Sequence, residues 1–242
     1  MRAVRATSAT AVHVAADVTA FARSRERRLV EACERCEVRL LRFPGVTVVP
    51  PGELRTASHG HYRVFTPYWR AWRSLPWREV VDAPRGLRSP SRLPNEGRIP
   101  SWRQLVRGDC SPHLVTGGER SGRKRMNAWL RNGIANYART RDELAGAGTS
   151  RLGPYLHLGC ISPLELARRS LEATDDDAFV RQLCWRDFHH QVTDSFPAIA
   201  HRDYRPRGHL WRHRPDLLAA WKAGETGVPV FDAAMGQLRA EG

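Results

Sequence analysis

Gly148-Thr-Ser-Arg-Leu-Gly-Pro-Tyr-Leu-His-Leu-Gly-Cys-Ile-Ser-Pro163 is the stretch from which the rest of this 242-residue chain is best read. It places small hydroxyls, one arginine, a tyrosine, a histidine and three glycines between two segments of helical pattern. Thr149 and Ser150 offer hydroxyl and backbone donors, and Arg151 adds a fixed guanidinium fork. Together these are the donors that grip a phosphate or pyrophosphate. Gly148, Gly153 and Gly159 allow a backbone to approach a ligand closely. On spacing alone, a plain helix-to-helix turn with an N-cap fits equally well.

The surrounding pattern is mostly helical on the C-terminal side. Met126, Leu130, Ile134 and Tyr137 recur at helical spacing. Ser162-Pro163 reads as an N-cap followed by a first-turn proline. Asp177 is placed to cap a helix running from Phe179 to Val192, Arg214-Pro215 opens another, and a last one starts near Val230. On a helical wheel Phe179, Gln182, Trp185, Arg186 and His189 share one stripe. Such a stripe suits an unstacked base held by stacking and edge hydrogen bonds. It suits equally a half-buried helix whose tryptophan is core.

On the N-terminal side, Thr10–Val14 reads as a strand, Asp17 as a cap and Val18–Cys36 as a helix. Strands are expected over Glu37–Phe43 and Val46–Val49, giving a short parallel α/β layer. The aromatic run Tyr62–Trp72 must pack on something, and the Pro-, Ser- and Arg-rich text from Pro84 to Pro100 reads as a connector.

Charge is the strongest bulk signal. The chain carries 39 Lys+Arg against 25 Asp+Glu, a formal net charge of +14, and lysine occurs only at Lys124 and Lys222. Arginine excess points to a nucleic-acid partner; a base-composition bias would explain the choice of arginine over lysine but not the surplus of charge. Eight Trp provide stacking surface or core. The five Cys include a single Cys33-x-x-Cys36 and no zinc-type spacing, so a reduced, cytoplasmic protein without a metal site is expected. No apolar run is long enough to span a membrane, and the first residues lack a signal core. Nucleotide-binding glycine motifs, nucleophile elbows and triad spacings are absent, and His189-His190 has no acidic partner at a telling distance.

Four ordered blocks carry a resemblance to the DNA photolyase/cryptochrome family. They are Tyr62-Arg-Val-Phe-Thr-Pro-Tyr68, the stretch Gly148–Pro163, Gln182-Leu-Cys-Trp-Arg-Asp-Phe188, and Trp221-Lys-Ala-Gly-Glu-Thr-Gly-Val-Pro-Val-Phe-Asp-Ala-Ala-Met235. The resemblance implies an α/β plus all-α fold: a partial Rossmann-like antenna domain over 1–83, a connector over 84–118, and a partial helical FAD- and DNA-binding domain over 119–242. It implies light-dependent repair of pyrimidine dimers in DNA by electron transfer from reduced FAD, in a monomer. The alternative within the family is a cryptochrome-like blue-light sensor without repair, and a basic helical DNA-binding remnant is a third reading. By motif, Tyr137, Thr149, Ser150, Arg151, Leu152, Gly153 and Phe179 would contact FAD. Gln182, Trp185 and Arg186 would line the dimer pocket, and Trp211 resembles the outer tryptophan of an electron-transfer chain. Gln182 stands where many dimer photolyases have a glutamate, Gly153 replaces a frequent serine, and Gly236 a usual arginine. Ser58–His61 gives no folate-binding pattern, so the antenna chromophore is not assigned. The blocks also suggest a polypeptide truncated at both ends, with weak flavin retention and exposed apolar helix faces.

Overall fold

The computed structural model describes residues 2–58, 60–88, 90, 97–146, 148–208 and 212–242. In chain order the elements are α1 (Arg2–Thr7), β1 (Ala11–Ala16), α2 (Ala20–Glu34), β2 (Arg39–Pro44) and α3 (Phe65–Ser74). Then come α4 (Trp102–Leu105), α5 (Glu119–Asn132), α6 (Tyr137–Thr140), α7 (Gly153–His157) and α8 (Pro163–Ala173). The last three are α9 (Ala178–Ser195), α10 (Pro215–Ala223) and α11 (Pro229–Glu241). The chain divides into two compact units, Met1–Pro94 with Gly118–Tyr204 and Asn95–Gly117 with Arg205–Gly242.

In the first unit β1 and β2 pair in parallel, Ala11 opposite Arg39 through Ala16 opposite Pro44, with α2 as the crossover. This is the α/β layer that the alternation around Val38–Leu41 leads one to expect. The helix between them begins later than the pattern suggests. Asp17 turns its carboxylate onto the Val18 and Thr19 amides, at 2.6 and 3.2 Å. Thr19 is the N-cap, its hydroxyl accepting from the Ala22 amide at 3.2 Å.

Val46–Val49 is not a strand. Its amides and carbonyls go to side chains instead of to a ladder. The Val48 and Val49 amides donate to Asp187 Oδ2 at 3.0 and 2.8 Å. Arg78 donates to the Val48 and Thr47 carbonyls at 2.7 and 2.8 Å, and Arg186 donates to the Val46 carbonyl. Backbone groups in a buried segment must find partners somewhere; charged side chains from α9 and from the residues after α3 supply them.

The helical core gathers α3, α5, α8 and α9 around Trp72, Met126, Leu166, Val180 and Leu183. The aromatic run becomes α3, which buries Phe65, Tyr68, Trp69 and Trp72. The continuous helix expected through Met126–Tyr137 breaks at Gly133, where a 3-10 turn over Ile134–Asn136 precedes α6. A Cβ at Gly133 would lie 2.4 Å from the Trp129 ring, so the missing side chain lets that indole fold against the backbone. Ser162 caps α8 through the Glu165 amide at 3.2 Å, with Pro163 at the first turn. Asp177 precedes α9 without capping it; its carboxylate pairs with Arg73 at 2.7 Å, and Asp176 accepts from the Ala178 amide.

In the second unit α10 ends at Gly224, whose φ of 65° is left-handed. Asp232 accepts from the Thr226 amide and hydroxyl and from the Gly227 amide, closing the turn into α11. These bonds hold the Asp232 carboxyl below its ordinary pKa. Neither α10 nor α11 buries a residue, and Leu217, Leu218, Trp221, Val230, Phe231 and Leu238 are exposed. No helix of the described residues is long and apolar enough to cross a membrane, and no cluster that could hold a metal occurs among them.

Trp72 is fully buried and donates its indole N–H to Asp187 Oδ2 at 2.9 Å. Trp72→Phe keeps most of the ring and removes that bond, so urea unfolding should show a loss of about 1–3 kcal/mol.

Candidate functional site

The candidate site is a cleft of about 580 Å³ inside the first unit, lined by Tyr137, Arg141, Asp142, Asp177, Ala178, Arg181, Gln182 and Trp185. One wall is the first two turns of α9, which present Gln182 and Trp185. The opposite wall is α6, which presents Tyr137 and continues to Arg141. Trp185 is held flat: its ring stacks on Phe65 of α3 at 3.7 Å between centroids and 4° between planes, with His189 on it at 5.7 Å. The Arg181 guanidinium lies over Phe65 at 5.5 Å and over Trp69 at 6.0 Å. The cleft therefore combines an aromatic wall, a carboxamide, two guanidiniums and two carboxylates.

Gly148 brings the hydroxyl–arginine stretch against the α6 wall. A Cβ there would sit 2.3 Å from the Thr140 carbonyl, so only glycine permits the approach. Thr149, Arg151 and Gly153 are exposed, Ser150 is half-buried, and Leu152 is buried. The Arg125 Nε braces the Ser150 carbonyl at 2.9 Å, and the Leu152 amide reaches Ser150 Oγ at 3.3 Å. Arg151 has a φ of 51°, a left-handed value uncommon for a side chain of its size. At Gly153 an added Cβ would meet nothing within 4 Å, so open space lies beside these donors.

The sequence-derived site residues thus fall into three sets. Tyr137, Gln182 and Trp185 meet at the cleft. Thr149, Ser150, Arg151 and Gly153 form a neighbouring donor strip. Leu152 and Phe179 are core, Phe179 packing on Trp129 at 5.3 Å and on Tyr137 at 5.4 Å, and so support the wall from behind. Arg186 leaves α9 away from the cleft lining and binds the Val46 carbonyl. Burial pushes its pKa down from the ordinary arginine value, opposed by Asp187 and Asp17. Burial likewise raises the Tyr137 phenol. Trp211 and part of the Ser58–His61 pattern, at His59, lie outside the described residues.

Three features had no strong sequence signal. Arg141 and Arg181 are two among many arginines, and only the fold selects them. Asp187 was legible only as part of the Gln182–Phe188 block. It is 1% exposed, takes three hydrogen bonds on Oδ2, and has no hydrogen-bond partner on Oδ1 among the described residues. Burial pushes its carboxyl up from 3.8 to about 7, outweighing the bonds from Val49 and Trp72 and the nearby Arg186.

Residues 1–85 match the family model described as DNA photolyase, and residues 179–242 match that for the FAD binding domain of DNA photolyase. A deoxyribodipyrimidine photo-lyase of Streptomyces griseus is 42% identical over all of this chain and 53% of its own length. One from Thermus thermophilus is 35% identical over 99% of this chain and 54% of its own length. A class III photolyase from Agrobacterium tumefaciens superposes with a TM-score of 0.86 at 26% identity, over 99% of this chain and 52% of that one. A Synechocystis cryptochrome, 22% identical, shares the fold at a TM-score of 0.86 over 100% of this chain and 53% of that one. The chain spans about half the length of the curated relatives it matches.

Gly148→Ala should displace the donor strip, since the added methyl meets a backbone carbonyl; thermal unfolding should fall by several degrees. The pH dependence of stability has a definite sign. A carboxyl raised to about 7 in the folded state makes a contribution that is full below about pH 3.8 and is lost as pH rises through 7. Asp187→Asn removes the ionisation, so its melting temperature relative to the parent should climb from about pH 4 and level off above about pH 7.

Proposed function

Because this chain belongs to the DNA photolyase/cryptochrome family, we propose that it binds FAD and serves light-dependent repair of pyrimidine dimers in DNA. The observation that carries the reading is the cleft itself, which a flat, clamped Trp185 and the Gln182 carboxamide share with Tyr137, while Gly148 packs on Thr140 at the end of α6 and leads into Thr149–Arg151.

The residues present fit a dinucleotide. The Thr149 and Ser150 hydroxyls and the Arg151 guanidinium match a pyrophosphate, and Gly153 leaves room beside them. Tyr137, backed by Phe179 and Leu152, closes the aromatic side. Bound flavin supplies an electron under light. The protein's own groups bind, orient and exclude water. Trp185, its ring already flanked by Phe65 and His189, stacks on two linked pyrimidines lifted from the duplex where His189 gives way to them, and Gln182 can donate and accept at their edges. Stacking worth about 1–3 kcal/mol per base offsets the few kcal/mol that flipping costs. Arg141 and Arg181 at the rim, within a chain of net charge +14, meet the phosphate backbone. Arg186 supports the pocket by holding α9 to the Val46 segment.

We assign residues 1–83 to the antenna-type domain, 84–118 to the connector and 119–242 to the helical domain, in a cytoplasmic monomer. The test is an absorption spectrum before and after excess FAD, followed by binding of an oligonucleotide carrying one thymine dimer. A structured flavin band, with tighter binding of dimer DNA than of undamaged DNA, supports repair. A flavin band without lesion preference overturns repair in favour of light sensing, and no band overturns both for this polypeptide. Arg151→Ala should weaken FAD retention about tenfold or more, read by equilibrium dialysis, since a bond to a charged group is worth about 1.5–3 kcal/mol.

A further inference from the structure

Asp187 lies two residues beyond Trp185 on α9, so the two side chains leave the helix on different sides. Trp185 borders the cleft and Asp187 enters the core. α3 meets both. Its Phe65 stacks on Trp185, and its Trp72 donates to Asp187 Oδ2 at 2.9 Å. Tyr68 of α3 packs edge-on against Phe188 between these two contacts. One helix is therefore pinned to the cleft wall at one end and to a buried carboxyl at the other.

The carboxyl is served unevenly. Oδ2 accepts from Trp72, Val48 and Val49, whereas Oδ1 has no hydrogen-bond partner among the described residues. The nearest cation, Arg186 Nη1, stands 4.0 Å from Oδ1 while donating to the Val46 carbonyl. Two arrangements are thereby close in space. With Asp187 neutral, Arg186 stays on the carbonyl. With Asp187 ionised, the bare oxygen attracts that guanidinium. Arg186 follows Trp185 directly in the chain, so the exchange bears on the indole next to it.

We propose that Asp187 is a positioning residue whose proton sets the orientation of Trp185, acting through Trp72 and Arg186. Only the consequence for lesions rests on the reading of the cleft as a dimer pocket. The titratable groups facing Asp187 are Arg186 and Cys184 from α9, Tyr68 from α3, and Arg78 from the segment after α3; the Val46–Val49 segment brings none. Arg186 and Arg78 favour the ionised form. Burial pushes both the Cys184 thiol and the Tyr68 phenol up, so these two stay neutral. Arg186 also feels Asp17. Burial of Asp187 prevails and brings its titration to about 7.

The test reads the indole N–H resonances of the 15N-labelled 242-residue chain between pH 5.5 and 8.5, about the span of an ionisation near neutrality. Trp72→Phe and Trp185→Phe assign the two signals. The expected result, read in a His189→Gln, His190→Gln background that removes the imidazoles beside Trp185 and Arg186, is that both signals move with one shared midpoint near 7 and that both become flat when Asp187→Asn is added. Arg186→Gln, which keeps the carboxyl, should leave Trp72 titrating and reduce the Trp185 response by about half or more. A flat Trp185 beside a titrating Trp72 in the parent, or a Trp185 signal that still titrates in Asp187→Asn, overturns the proposal. Affinity for the thymine-dimer oligonucleotide should change about threefold or more across the same range in the parent and not in Asp187→Asn. If lesion binding is absent at every pH while the two indoles titrate together, the dimer-pocket reading fails and the positioning role stands.

Discussion

Three ionisable side chains bond five backbone groups of Val46–Val49, and the α/β part of the first unit is joined to its helical part at that point. Asp187 takes two amides, Arg78 two carbonyls and Arg186 one. Burying such groups without partners would cost several kcal/mol each. Here each charge is used to satisfy backbone that no strand could reach. The arrangement is directional, because amides and carbonyls of adjacent residues demand opposite partners. α9 is therefore held in one register, and the side chains on its cleft face inherit that register.

The cleft gains its rigidity from aromatic packing more than from polar contacts. Phe65 stacks on Trp185, and Phe188 meets both rings nearly at right angles, at 5.9 and 5.5 Å. Offset and edge-on pairs of this kind add about 0.5–1.5 kcal/mol each beyond burial. Gln191 fixes the far end by exchanging two hydrogen bonds with the Tyr62 backbone, at 3.1 and 2.7 Å. A site built on two clamped helices keeps its shape without a ligand.

What the sequence reveals is what is decided locally. Ser162-Pro163 and Arg214-Pro215 mark helix starts because caps and prolines act on their own backbone. The parallel pairing of β1 and β2 follows from apolar alternation with a helix between. The Thr149–Arg151 strip is legible because its chemistry lies in consecutive residues. Val46–Val49 misleads for the opposite reason: its apolar text has strand character, while its α9 partners lie far along the chain, at Arg186 and Asp187. The helix broken at Gly133 fails likewise, since only the fold shows the Trp129 ring lying where a Cβ would be. For Arg186 the wheel gives a direction from the axis and not the carbonyl waiting there.

Several guanidiniums in this protein hold main-chain carbonyls. Arg78 bridges two, Arg168 binds those of Trp77 and Arg78 at 2.8 and 2.7 Å, Arg125 braces Ser150, and Arg186 holds Val46. At Arg78 the two fixed Nη groups of one planar fork reach the carbonyls of adjacent residues, a geometry that an ammonium ion on a flexible stem does not hold in place. The scarcity of lysine is then partly an architectural commitment. Were mutation in the host lineage to drift toward A and T, exposed arginines such as Arg131 could slide to lysine unnoticed. At 78, 168 and 186 the drift would meet selection, because the carbonyls held there would lose their donors.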